Sequence, residues 1–227
     1  MLLTGCGLGG GVAPGQGAST SSRQTPPAEQ GSVWILPPVG LNVHSKPSDS
    51  SSKVTTLGQG AQTRIAGSQQ AGGKTWIHVK SSDGNVDGWL VDDPQYVIHR
   101  EVANHSEPDA YSMLYPSSWS VQAGNPATFQ APSGDQDGGT LLVQYTDDAT
   151  KLPAIPTAAG TAVRQEGIEI SGIPTSIYVY RTNAGGYEYA VQRKLGKLAY
   201  FFDLKQSKSQ ADTKLFKQLL ASVSPAS

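Results

Sequence analysis

The chain has 227 residues, 26 of them Gly and 15 Pro, and a formal net charge of −1. That length fits one or two domains, and so much Gly and Pro favours short strands and turns over long helices. Neither half is a polycation, which argues against nucleic acid as a partner, and no run reaches the ~18 apolar residues of a membrane-spanning helix.

The lone cysteine, Cys6, leaves no internal disulfide and no multi-cysteine metal site. Its context, Leu3-Thr4-Gly5-Cys6, resembles the lipobox of bacterial lipoprotein signal peptides. The resemblance implies a diacylglyceryl group on the Cys6 thiol and cleavage that leaves Cys6 as the mature N-terminus. Two or more acyl chains are then expected, because one chain binds a membrane only marginally and reversibly. Only five residues precede Cys6. A signal needs a basic region and an apolar stretch of about 7–15 residues, so the expected start lies upstream of Met1, or a leader has been trimmed. From Gly7 to Gly31 the chain is rich in Gly, Ser, Thr, Gln and Pro and almost uncharged. Such a segment cannot bury a core and reads as a tether. Residues 1–31 are therefore read as lipobox and flexible tether, which places the protein outside the cytoplasm, held to the cell membrane.

From Val33 the texture becomes β-type. Val33–Leu36, Leu41–Val43, Val54–Leu57, Thr63–Ala66, Trp76–Lys80 and Gly88–Val91 are short apolar or alternating runs, with Tyr96–Ile98 as an added edge. Turn residues punctuate them at Pro37-Pro38, Ser45–Ser48, Gly58–Gly60 and Ser82–Asn85. Five or six short strands in so few residues suggest a small barrel over residues 32–101. Gly40-Leu41-Asn42-Val43-His44-Ser45-Lys46-Pro47-Ser48 then resembles the opening motif of bacterial Src-homology-3-like domains. Leu57–Gly60, Trp76–Val79 and Gly88–Leu90 follow in that family's order, while His44 replaces the usual Arg and Lys46 the usual Gly. The resemblance implies a non-catalytic module that contacts peptidoglycan or its peptide cross-bridges. A shallow groove of aromatic and turn residues suits an extended peptide or glycan. The candidate binding residues are Asn42, His44, Trp76, Trp89 and Tyr96. The bland alternatives stay open: both Trp residues stand at strand positions that also build cores, and Asn42 can serve the turn after it.

Val102–Asp109 is polar and contains Pro108, which marks a boundary; residues 105–227 are read as a second domain. Tyr111–Tyr115, Trp119–Gln122, Ala127–Gln130 and Thr140–Thr146 read as strands. Leu152–Glu166 is ambiguous, with room for a short helix after Pro156. Three longer strands follow at about Glu169–Arg181, Tyr187–Arg193 and Lys197–Lys205. Leu215, Phe216, Leu219, Leu220 and Val223 make one helical stripe, with Ser209 as the expected cap and Asp212 in the first turn. The fold class expected is mainly β plus α+β: a small SH3-like barrel, then an antiparallel sheet packed with a C-terminal helix. Tyr111–Trp119, Ile170–Pro174 and Leu219–Val223 resemble motifs of the PsbP-like domains, named for an extrinsic photosystem II subunit. Fold does not carry function, so photosystem chemistry is not implied.

No chemistry stands out beyond this. His44, His78, His99 and His105 show no zinc-ligand spacing. Asp135-Gln136-Asp137-Gly138 lacks the register of a calcium loop and reads as a solvated turn. Lys205, Lys208, Lys214 and Lys217 read as a solvated helix face. No catalytic residue, metal site or cofactor is assigned. The leading expectation is a non-enzymatic, lipid-anchored envelope protein, whose first domain contacts the wall and whose second binds an unknown envelope partner. The alternatives are an enzyme or assembly subunit with its site in the second domain, and a ligand-free spacer.

Overall fold

The computed structural model describes residues 31–155 and 164–226. Cys6, the expected tether up to Gln30 and the segment directly after Pro156 lie outside the described residues. Within them the chain is mostly β, with antiparallel sheets and one α-helix.

The first seven strands are β1 (Ser32–Ile35), β2 (Leu41–His44), β3 (Lys53–Leu57), β4 (Gln62–Ala71), β5 (Lys74–Lys80), β6 (Asp87–Val91) and β7 (Val97–Ile98). They form one sheet in the order β3-β2-β6-β5-β4-β1-β7. Side chains alternate across a strand, so Val33, Ile35, Val43, Ile77, Val79, Leu90 and Val97 gather into a core on one side. The close approach of β2 to β6 depends on Gly88. A Cβ there would stand 2.6 Å from Val43 Cγ1 and 2.7 Å from the His44 carbonyl oxygen. Gly88→Ala is therefore expected to cost ~1–3 kcal/mol by overpacking, measured by chemical denaturation.

The remaining strands are β8 (Val102–Glu107), β9 (Tyr111–Pro116), β10 (Ser120–Gln122), β11 (Ala127–Gln130), β12 (Thr140–Thr146), β13 (Arg164–Ile170), β14 (Ile173–Arg181), β15 (Tyr187–Leu195), β16 (Leu198–Gln206) and β17 (Ser224–Pro225). The helix, α1, spans Lys214–Ala221. Strands β10 to β16 form a second sheet in the order β10-β11-β12-β16-β15-β14-β13, and β17-β9-β8 a third. One face of the second sheet contributes Phe129, Val143, Tyr189, Val191 and Phe202 to a core shared with β9 and with Leu215, Phe216 and Leu219 of α1.

Four local expectations change. The polar stretch from Val102 is a strand, because pairing with β9 satisfies its backbone whatever its side chains are. The long strand expected over Glu169–Arg181 is a hairpin. Ser171 and Gly172 both take positive φ, and that turn folds β13 back on β14. The helix starts at Lys214, not after Ser209; Asp212 accepts the Lys214 backbone N–H at 2.9 Å and so satisfies an orphan donor of the first turn. The lysines are not one solvated face: Lys217 pairs with Glu166 at 2.6 Å, Lys208 with Asp137 at 2.9 Å, and Lys205 stands on β16 beside Asp203 at 3.3 Å.

The expected solvated turn at Asp135 is also an anchor. Its side chain is 8% exposed. It accepts from the Trp119 indole N–H at 3.1 Å and from Arg100, in the link between β7 and β8, also at 3.1 Å. Burial alone would raise its pKa, but the Trp119 and Arg100 hydrogen bonds outweigh burial and hold the carboxyl below the usual carboxylate range. A depressed pKa contributes stability that is present above the unfolded pKa and lost as pH falls through the folded one. Asp135→Asn is thus expected to cost ~1–3 kcal/mol at neutral pH. The gap from wild type should close below about pH 4, read from melts across pH.

The two sheet systems meet through a hydrogen-bonded, partly apolar junction. Leu36, directly after β1, and Ile98, on β7, join the core of the second body, with Trp34 of β1 packed against it. Two glutamines satisfy the backbone there. Gln59 donates to the carbonyls of Leu36, at 2.9 Å, and Ser222, at 2.7 Å. Gln218 of α1 donates to the Val97 carbonyl at 3.1 Å.

Candidate functional site

The first sheet has a second face, opposite its aliphatic core. Because Val43 points inward, Asn42 and His44 on either side of it point outward. On β5, Ile77 and Val79 point inward, so Trp76 and His78 share the outward face. Register completes the set: Trp89 of β6 lies opposite both His44 of β2 and His78 of β5.

The rings pack in two pairs. His44 meets Trp76 edge-on, with centroids 5.6 Å apart. His78 stacks on Trp89 at 4.8 Å with an interplanar angle of 18°. His44 Nδ1 donates to the Ser51 carbonyl at 3.3 Å, which fixes the ring and its tautomer. His78 Nε2 donates to Asp87 at 2.6 Å, and Lys80 reaches the other Asp87 oxygen at 3.1 Å. Those two hydrogen bonds, Lys80 first and then His78, hold the Asp87 carboxyl below the usual carboxylate range.

The outward Trp residues differ in exposure. Trp76 is 1% exposed and donates its indole N–H to the Ala71 carbonyl at 3.2 Å. It is a buried platform under His44, while Trp89 is half-buried and reaches the surface. Asn42 is exposed, accepting from Thr56 Oγ1 at 2.9 Å. Flat, partly exposed rings beside a fixed amide and a carboxylate can stack on an apolar or planar group and hydrogen-bond a peptide or sugar around it.

Asn42, His44, Trp76 and Trp89 thus share one face. Tyr96 does not: it precedes β7 and lines a separate cleft with Pro37, Pro38 and Val39. His78 belongs to the face and was not among the residues singled out from the sequence. The signal was present, since Trp76 and His78 are two apart on an alternating strand. Among the described residues no group of three or more His, Cys, Asp or Glu could hold a metal ion. Nor is any described helix long and apolar enough to cross a membrane.

Known proteins give two kinds of likeness. Residues 39–95 match the family model of the bacterial SH3 domain. Among solved structures, the cyanobacterial PsbP (CyanoP) of Synechocystis is 19% identical, with a TM-score of 0.38, over 55% of this chain and 92% of that one. A Bacteroides thetaiotaomicron protein is 14% identical, with a TM-score of 0.36, over 51% of this chain and 44% of that one. This chain therefore spans less than half of that second protein. No curated protein matches the chain. The strands that carry Asn42, His44, Trp76, His78 and Trp89 all fall inside residues 39–95, and over those residues the chain is similar to the bacterial SH3 domain.

Proposed function

We propose that this is a non-enzymatic, extracytoplasmic binding protein, anchored by acyl chains on Cys6, with domains at residues 32–101 and 102–227, the second opening with β8 rather than at the expected residue 105. The first is a small SH3-like barrel whose outer face contacts cell-wall peptide or glycan; the second binds a further envelope partner. One observation carries the wall-binding reading. The module similar to the bacterial SH3 domain collects His44, Trp76, His78 and Trp89 on a single face, away from its core. Trp89 presents ring surface for stacking, and Asn42 and Asp87 flank it with polar groups. Affinity for one repeating unit need not be high. An anchor confines the module to a thin layer, where many weak sites give avidity.

Two measurements separate the parts of this reading. Co-sedimentation of the full chain with purified peptidoglycan is expected, and Trp89→Ala should weaken it at least tenfold, since a stacked Trp commonly supplies about 2 kcal/mol or more. Equal retention of wild type and variant would remove the outer face from the account. Intact mass of the native protein is expected to show a mature chain beginning at diacylated Cys6. An unmodified Cys6 would remove the anchor and leave the binding face untouched.

A further inference from the structure

A cleft of about 840 Å³ lies where the two sheet systems meet, away from the outer face. One wall is Pro37, Pro38, Val39 and Tyr96; the other is the β13–β14 hairpin and Pro225. Its apolar wall is unusually open, with Val39 90% exposed and Tyr96 40%. Gly167, Ile168 and Glu169 of β13 also line it.

Strand β13 ends its sheet, and among the described residues no strand pairs with its outer edge. The direction of its main-chain groups follows from the turn. Ser171-Gly172 is a two-residue hairpin loop between Ile170 and Ile173, so that pair is hydrogen-bonded and the ladder alternates from it. Glu169 then turns its N–H away from β14. Gln95 captures that N–H through Oε1 at 3.3 Å, much as a neighbouring strand would. By the period of two, Gly167 turns its N–H and C=O the same way. Gly167 is exposed, and a Cβ built on it meets nothing within 4 Å. No side chain there hinders a second backbone, a usual reason for Gly within a strand. Glu169 is the sole charged residue in the lining.

We propose that this cleft receives an extended segment of a partner protein, added as a strand to the outer edge of β13. An apolar side chain of that segment sits against Val39 and Tyr96, and a basic one meets Glu169. Main-chain bonds to Gly167 give affinity and register, and alternate side chains give choice. A second copy of this chain fits less well. Gln165, Gly167 and Glu169, the outward positions of its own β13, include no base for Glu169. The inference does not rest on wall binding by the outer face.

The test is a phage-displayed library of random decapeptides panned against the full chain. Selected peptides are expected to share a Lys or Arg near an apolar residue in an extended pattern, and binding should slow hydrogen exchange at the Gly167 amide. Glu169→Lys and Val39→Asp, both at exposed positions, should each weaken a selected peptide at least tenfold with the melting temperature unchanged. Gly167→Pro, which removes the edge N–H, should do the same; the two exposed variants decide the matter if that strand is disturbed. The proposal is overturned by an unenriched library, or by peptides indifferent to Glu169→Lys and Val39→Asp. It is equally overturned if the chain sediments as a dimer that Glu169→Lys dissolves, which would make a second copy the occupant.

Discussion

Replacing Asp203 by Asn is expected to stabilise the protein at pH 8, by roughly 2–3 kcal/mol, and to change almost nothing at pH 4. Asp203 stands on β16 and is 6% exposed, with Oδ1 unpartnered. Burial first, and then the nearby charge of Glu188, raise its pKa to about 6. Lys205 opposes this at 3.3 Å but does not cancel it. Between the unfolded and folded pKa values the folded chain binds more proton than the unfolded one, so stability falls as pH rises through that window. Above about pH 6 the full cost of burying the carboxylate is present, about 1.4 kcal/mol for every tenfold change in its acidity on folding. Asn keeps the shape and stays neutral. Thermal melts should show the variant melting roughly 5 °C higher at pH 8. An Asn variant that melts lower at pH 8, or a gap independent of pH, would contradict this.

Its neighbour gives the opposite sign. Phe202→Ala is expected to cost ~3–5 kcal/mol. Phe202 points to the other face of β16, is 0% exposed, lies between Val143 and Val191 in register and stacks on Tyr200 with centroids 6.0 Å apart. The truncation leaves a cavity in the core shared by the sheet and α1, which cannot collapse around strands fixed by hydrogen bonds on both sides. Denaturant midpoints at constant slope measure it. A loss under about 1 kcal/mol would mean that this core repacks freely. Two adjacent residues with opposite expected effects show how strictly the strand period divides this sheet.

That same period explains what the sequence made legible. Alternating runs such as Trp76–Lys80 and Thr140–Thr146 are strands because apolar side chains two apart must share a buried face. Four of the five candidate binding residues within residues 31–98 fall on one outer face for the same reason. His78 was equally readable from its spacing to Trp76. Other features depend on contacts distant in the chain. Nothing local marks Asp135 as the partner of Arg100 and Trp119, 35 and 16 residues away. The strand at Val102–Glu107 is polar and becomes a strand only by pairing with β9. The junction cleft needs Tyr96 and Gly167 brought together by the docking of two sheets, and no motif in either segment announces it.

By the function we propose, the outer face of the first sheet is the part that touches the wall. The deciding measurement is a titration of the isotope-labelled full chain with soluble peptidoglycan fragments, followed by NMR. Shifts are expected at the Trp89 indole N–H, the His44 and His78 rings and the Asn42 side-chain amide, with the aliphatic core beneath unmoved. No shift at saturating fragment, or shifts confined to residues outside that face, would contradict the claim.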